Sequence, residues 1–401
     1  MTAVRRVGVL GAGTMGAGIA QVAAEAGLEV ELLDPVSGAH ERARDRIGGF
    51  LERRVAKGEL HAGLAEAAMG RIREAASVAD LAAAEFVIEA IPEELDLKRD
   101  AFRRLDAAAA PGTILATNTS SLSVGRIAEA TTHPERVVGM HFFNPVPLMA
   151  LVEVIAAPPT DRRVVDATLA FAQQLGKTPV EATDTPGFIV NRVARPFYLE
   201  ALRILGEGAA DAPTIDATMR EAGFRMGPFE LIDTIGLDVN LAVSESVWEG
   251  FGRNARYLPH DLQRVLVQAG RLGRKAGAGF YDYGADGQRG GPWTGLAQEP
   301  PIPPAEVFSA DAIRDRVLAT IVNEAASAVE DWTASPVAID TAMRLGTNWP
   351  EGPLAWGEQL GLVRVVALLD ALAATAPDAR YGVVPLLRSL SGSGGSFFGT
   401  A

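Results

Sequence analysis

An α/β domain on a doubly wound sheet, followed by two all-α domains that duplicate one another, is the architecture the sequence predicts. Three observations predict it. Up to about residue 182, apolar strand-like runs alternate with helical stretches, as a parallel sheet covered on both faces requires. From Phe188 onward apolar residues recur at helical spacing and almost nothing reads as strand. An ordered series of residues between Ile215 and Leu237 then recurs between Ile339 and Leu362.

The elements follow in order. Arg5-Arg6-Val7-Gly8-Val9-Leu10 reads as the first strand, closed by the turn Gly11-Ala12-Gly13-Thr14-Met15-Gly16. Ala17 to Gly27 is a small-residue helix. Val30-Glu31-Leu32-Leu33 is a second strand ending at Asp34, 18 residues after Gly16. Strand, glycine turn, helix and acid in this register describe a Rossmann-like dinucleotide site. The glycines let the backbone turn tightly and approach a pyrophosphate, which rests on the helix N-terminus. Asp34 can accept hydrogen bonds from ribose hydroxyls, and its charge repels a 2′-phosphate, so NAD is expected over NADP. A helix between Arg42 and Lys57 then carries basic residues at 42, 44, 46, 53, 54 and 57 against acids at 41, 45 and 52.

Glu85 to Ile91 reads as a sheet strand, Leu97 to Ala110 as an amphipathic helix, and Thr113 to Thr117 as the next strand, closed by Asn118-Thr119-Ser120-Ser121. Val137–Met140 and Leu151–Ile155 read as short buried strands, joined by a turn that Pro145 and Pro147 stiffen. This pair of strands carries His141 and Glu153. A carboxylate inside a buried strand is costly unless something pairs with it, and His141 is the obvious partner. An imidazole held by a carboxylate is a general base suited to neutral pH. The plainer reading is a satisfied core histidine and an unrelated edge glutamate; the dinucleotide site upstream weighs against it.

Composition bounds the rest. The 401 residues leave room for two or three domains with cores of their own. With no Cys there is no disulfide, thiolate nucleophile or cysteine metal site, which suits a cytoplasmic protein. No signal-like opening and no apolar run of membrane-span length is found, so no membrane partner is expected. A net charge of −13 argues against nucleic acid. The five histidines are scattered, without a metal-ligand pattern, so no metal is expected.

The second half repeats itself. Ile215-Asp216, Met219, Gly227-Pro228 and Gly236-Leu237 recur as Ile339-Asp340, Met343, Gly352-Pro353 and Gly361-Leu362, and Glu200-Ala201 upstream recurs as Glu324-Ala325. Asn191 falls opposite Asp315, so the copies have diverged. The expected organisation is a dinucleotide-binding domain over 1–183, a first helical domain over 184–283, a Gly/Pro-rich linker over 284–304, a second, non-catalytic helical domain over 305–390 and a flexible tail over 391–401.

Taken together, the Gly11–Gly16 loop, Glu89-Ala-Ile-Pro-Glu93 with Lys98, Asn118-Thr-Ser-Ser121, His141-Phe-Phe-Asn144-Pro, Leu151-Val-Glu153, Asp184-Thr-Pro-Gly-Phe-Ile-Val-Asn191-Arg192 and Lys275-Ala-Gly-Ala-Gly-Phe-Tyr281 resemble the L-3-hydroxyacyl-CoA dehydrogenases. The resemblance covers about residues 4–283, and longer members carry a duplicated C-terminal domain. It implies NAD-dependent oxidation of a (3S)-3-hydroxyacyl-CoA to the 3-oxoacyl-CoA. His141 would be the base, oriented by Glu153. Ser120 would bond the substrate oxygen, and Asn191 would complete the pocket. The glycine loop (Gly11, Ala12, Gly13, Thr14, Met15, Gly16), Asp34, Glu93, Lys98, Ser120, Asn144 and Lys275 match positions that touch NAD, and Lys57 loosely matches a lysine that contacts CoA. Short members pair their helical domain across a two-fold interface; two copies in one chain imply an internal pseudo-dimer, as a monomer or a homodimer.

Each carried-over residue has a plainer reading. Glu93 and Lys98 can cap and solvate a helix start, Ser120 can cap the next helix, Asn191 can be a satisfied core amide, Lys275 an ordinary loop lysine, and Arg42–Lys57 a solvated helix face. Two departures bear on substrate recognition: Ala150 stands where the family often has a lysine, and Phe50 where some members have a serine. The acyl group stays open among butyryl, longer and carboxylated chains. A free hydroxy acid, a sugar acid or a carrier-bound acyl group is the nearest alternative substrate, and a non-catalytic NAD-binding role the alternative of another class.

Overall fold

Eight strands form one sheet in the N-terminal unit, Met1–Phe188. They are β1 (Arg6–Leu10), β2 (Glu29–Leu33), β3 (Ile72–Glu74), β4 (Phe86–Glu89), β5 (Ile114–Thr117), β6 (Val137–Phe142), β7 (Leu151–Ala156) and β8 (Thr178–Thr183), in the spatial order β3-β2-β1-β4-β5-β6-β7-β8. The computed structural model describes residues 4–295, 307–376 and 378–399. Every residue of β4, β5 and β6 is buried, because a sheet covered on both faces offers no solvent side.

The first six strands run parallel, and β7 and β8 run the other way. A purely parallel sheet, the simplest reading of the alternating pattern, is therefore corrected at this end. The cause is loop length: residues 143–150 are too few for a crossover helix, so β7 returns antiparallel beside β6. Strands β3 and β8 have no counterpart in the sequence reading; β3 is only three residues long, and the Thr-Pro-Val-Glu-Ala-Thr of β8 is weakly apolar. No helix among the described residues is long and apolar enough to cross a membrane.

Among its described residues the second unit, Ile189–Ala401, is helical apart from a small hairpin, Tyr281–Tyr283 with Arg289–Pro292. That hairpin corrects the start of the expected linker; residues 296–306 lie outside the described residues. The expected flexible tail is corrected as well. A helix spans Pro385–Ser393, and beyond it Phe397 is buried while its backbone N–H donates to Glu358 Oε1 at 2.8 Å.

The structure explains why the repeat contains Asp and Gly-Pro. Asp216 accepts the N–H of Phe229 at 2.9 Å, and Asp340 that of Leu354 at 2.9 Å, so each acid caps the helix that follows Gly-Pro. A Cβ on Gly227 would lie 2.3 Å from Asp216, and one on Gly352 2.1 Å from Asp340. Helices Arg195–Gly206 and Ala310–Glu330 pack together, and ion pairs cross reciprocally between them and the residues that flank them. Arg192 meets Glu324 at 2.6 Å and Asp331 at 2.5 Å; Arg316 meets Glu200 at 2.7 Å and Glu207 at 2.6 Å. Tyr257 donates to Glu324 at 2.7 Å, and Tyr381 to Glu200 at 2.6 Å. Each of these residues stands 124 positions from its counterpart, so the contact has the self-complementary form of a two-fold interface within one chain.

Candidate active site

The chemistry-bearing residues of the N-terminal unit gather where β1, β4, β5 and β6 end, the edge at which open α/β sheets bind ligands. After β1 comes the glycine turn. A Cβ on Gly11 would lie 2.6 Å from the Ala90 carbonyl, and one on Gly16 1.8 Å from the Gly11 carbonyl, so neither position tolerates a side chain. A Cβ on Gly13 would meet nothing within 4 Å. Gly13 therefore leaves open space at the N-terminus of helix Thr14–Glu25, which has no side-chain cap and no acid in its first turn. This cradle fits a dinucleotide pyrophosphate. Asp34, at the end of β2, accepts the N–H of Ala12 at 2.8 Å and that of Val36 at 2.9 Å. The same carboxylate that would select the ribose thus ties its own loop to the glycine turn.

The ends of β4 and β5 are joined through Glu93. Its Oε1 accepts Thr119 Oγ1 at 2.6 Å, the N–H groups of Ser120 at 2.8 Å and Ser121 at 3.1 Å, and both serine hydroxyls. Burial pushes the Glu93 carboxyl up, but Lys98 and these donors outweigh it and hold it below the usual carboxylate range. The solvated-helix-start reading of Lys98 is corrected: the side chain is 1% exposed, 2.6 Å from Glu89 and 3.3 Å from Glu93. Ser123, not Ser120, caps the helix Val124–Ala128.

At the end of β6, His141 stands directly across from Glu153 on β7. Nδ1 lies 2.7 Å from Glu153 Oε2, with both groups buried. A carboxylate accepts only, so the hydrogen sits on Nδ1 and leaves Nε2 free to take a proton. Phe143 flanks the imidazole at 4.5 Å and Phe188 at 6.0 Å between ring centroids. Phe188 holds a left-handed backbone, φ 50°, which a bulky residue adopts only where its surroundings force it.

The sequence reading missed three contributors. Glu89, fully buried, bonds Lys98, Thr117 and Ile91; the rule that found Glu153, an acid inside an apolar run, would have found it. Asn118 Oδ1 accepts the N–H of Phe142 at 2.9 Å and so ties β5 to the strand that carries His141. Phe188 gave no local signal beyond its place in Thr-Pro-Gly-Phe.

The remaining site residues are placed as follows. Asn144 is exposed in the loop after β6. Lys57 is the exposed C-cap of helix Ala39–Ala56. Two of that helix's basic residues are committed elsewhere, Arg44 to the Met69 and Ile72 carbonyls and Arg54 to Glu25. In the helical unit, Asn191 lies in helix Val190–Val193, and Lys275 pairs with Asp238 at 2.6 Å.

Residues 6–185 match the family described as 3-hydroxyacyl-CoA dehydrogenase, NAD binding domain. Residues 187–283 and again 313–395 match 3-hydroxyacyl-CoA dehydrogenase, C-terminal domain. The chain belongs to the 3-hydroxyacyl-CoA dehydrogenase family. It is 40% identical to 3-hydroxyadipyl-CoA dehydrogenase of Escherichia coli K12, over 97% of this chain and 98% of that one. A probable 3-hydroxybutyryl-CoA dehydrogenase of Bacillus subtilis is 42% identical over 70% of this chain and 98% of its own length. The crystal structure of 3-hydroxybutyryl-CoA dehydrogenase from Escherichia coli K12 superposes with a TM-score of 0.89 at 38% identity, covering 97% and 98% of the two chains. The protein is an NAD-dependent oxidoreductase of this family, and NAD is its cofactor.

Asp34→Ser is expected to narrow the preference for NAD over NADP, because it removes the charge that repels a 2′-phosphate. Steady-state rates with each cofactor check this. Equal use of both by the unaltered protein contradicts the role given to Asp34.

Proposed function

We propose that the protein oxidises (3S)-3-hydroxyacyl-CoA thioesters to 3-oxoacyl-CoA, with His141 as the general base. The buried 2.7 Å contact between His141 and Glu153, at the ligand-binding edge of the sheet, carries this reading. When bound, NAD accepts the hydride that leaves C3. His141 Nε2 takes the proton of the 3-hydroxyl, and Glu153 stabilises the imidazolium that results. Ser120, whose N–H donates to Glu93, bonds the substrate oxygen. Glu93, Asp34, Asn144 and the glycine loop hold the cofactor, with Lys98 behind Glu93, and Lys275 is assigned a cofactor contact. Asn191 completes the substrate pocket, and Lys57 attracts the CoA phosphates.

We further propose one catalytic site per chain, with residues 184–283 contributing to substrate binding and 305–390 a non-catalytic scaffold that covers them. Asp315 supports this. It takes the position of Asn191, and its carboxylate is paired with Arg314 and Arg364.

NADH production measured with 3-hydroxyacyl-CoAs of graded length, against the free hydroxy acids, tests the reaction. Turnover of the thioesters and not of the acids is expected. Faster turnover of the free acids would move the protein to another substrate class.

A further inference from the structure

The first helical copy contains a buried cation that pairs with no acid among the described residues. Arg195, 4% exposed, donates from Nε to the Asn191 carbonyl at 2.8 Å. From Nη1 it donates to Ser244 Oγ at 3.1 Å and to the Asn240 carbonyl at 3.5 Å. Among the described residues no carboxylate pairs with it, and burial lowers its pKa. Gln263 belongs to the same cluster: its Nε2 donates to Asn240 Oδ1 at 2.7 Å, while its buried Oε1 has no hydrogen-bond partner. A buried guanidinium without a counter-charge is costly. Arg192 and Arg316, buried in the same unit, each have two carboxylates.

The duplication provides an internal control. In the second copy Ala319 stands for Arg195, Val365 for Asn240, Leu369 for Ser244 and Leu387 for Gln263, and all four are fully buried. The same helical scaffold therefore packs with apolar side chains at every position of the cluster. The fold does not demand the charge, so a ligand of the first copy is the natural reason for it.

We propose that Arg195 is a specificity-determining residue, supplying the counter-charge for a carboxylate at the far end of the acyl chain, so that 3-hydroxyacyl-CoA substrates derived from dicarboxylic acids are favoured. This rests on the oxidation of 3-hydroxyacyl-CoA proposed above. One guanidinium among neutral amide and hydroxyl groups matches one monoanionic carboxylate. The phosphates of CoA and NAD bring more charge and bulk than so enclosed a cluster answers. Arg195 also lies four residues after Asn191, the residue assigned to the substrate pocket, and bonds its carbonyl.

The test compares 3-hydroxyadipyl-CoA with 3-hydroxyhexanoyl-CoA, equal in chain length and different only in the terminal carboxylate. The unaltered protein is expected to favour the former in kcat/KM. Arg195→Met should lower kcat/KM for the former by about thirtyfold or more, the scale for removing one partner of a buried charge pair. The loss on 3-hydroxyhexanoyl-CoA, which reflects only the disturbance of Asn191, should be about tenfold smaller. Arg195→Lys, with the charge but not the planar fork, should fall between. Equal losses on both substrates would make Arg195 structural and overturn the proposal, as would the absence of any preference in the unaltered protein. A raised KM for NAD or tightened dependence on the CoA phosphates would assign the charge to a phosphate, and would overturn it too. If Arg195→Met fails to fold, the substrate ratios of the unaltered and Arg195→Lys proteins decide. Inactivity of the unaltered protein on both thioesters would instead reject the reaction itself.

Discussion

His141→Ala is expected to lower turnover by about 10²–10⁴-fold, the usual worth of a positioned general base, with NAD affinity little changed. The two effects separate because the sheet separates the parts. The glycine turn follows β1 and His141 ends β6, with β4 and β5 between them. Three strand spacings of ~4.8 Å put roughly 14 Å between the pyrophosphate cradle and the imidazole. Stopped-flow turnover together with calorimetric NAD binding checks both halves. Near-normal turnover in a folded variant removes His141 from the mechanism. Glu153→Gln should also slow turnover, for a different reason. An amide can donate to Nδ1, which would move the imidazole hydrogen to Nε2, where a base needs a lone pair. Because the amide keeps the shape of the buried carboxylate, folding should suffer less than in Glu153→Leu.

Glu324→Gln should destabilise the helical unit by about 3–5 kcal/mol, since Arg192 remains buried without the charge that faces it. Arg192 is fully buried; Asp331, its other acid, is about half exposed and screened by solvent. Burial alone would lower the Arg192 pKa, yet Glu324 and Asp331 raise it, which shows how far the cation depends on them. Glu200→Gln should cost a similar amount, because Arg316 stands to Glu200 as Arg192 stands to Glu324. Urea unfolding followed by circular dichroism gives both values. A large loss in one variant and none in the other would deny the two-fold equivalence of the copies. Ending the chain near Gly284 removes the partner altogether. It should expose the buried face of helix Arg195–Gly206 and cause aggregation or a new dimer. A truncated form that stays monomeric and fully active would contradict the scaffold role.

Much of the site could be read directly from the sequence because its parts are joined by short connections. Arg6 to Asp34 is one strand-turn-helix-strand unit, so its geometry follows from local order. His141 and Glu153 are 12 residues apart, and a loop too short for a crossover must bring their strands together. The duplication was visible because each copy needs an aspartate to cap the helix after its Gly-Pro, and that local requirement leaves the same residues at matching intervals.

Other features depend on packing between distant segments, and no local pattern reports them. In sequence Lys98 admits the plainer reading of a solvated helix residue, and only the fold encloses it between Glu89 and Glu93. Arg192 and Glu324 are 132 residues apart, and Arg316 and Glu200 are 116 apart. Each looks in sequence like an ordinary helix charge, and only the association of the copies makes them buried partners. Arg195 shows the limit most plainly. Its charge can be read in the sequence, but the absence of a partner is a property of the folded surroundings, since whether a charge is compensated is set by what packs around it.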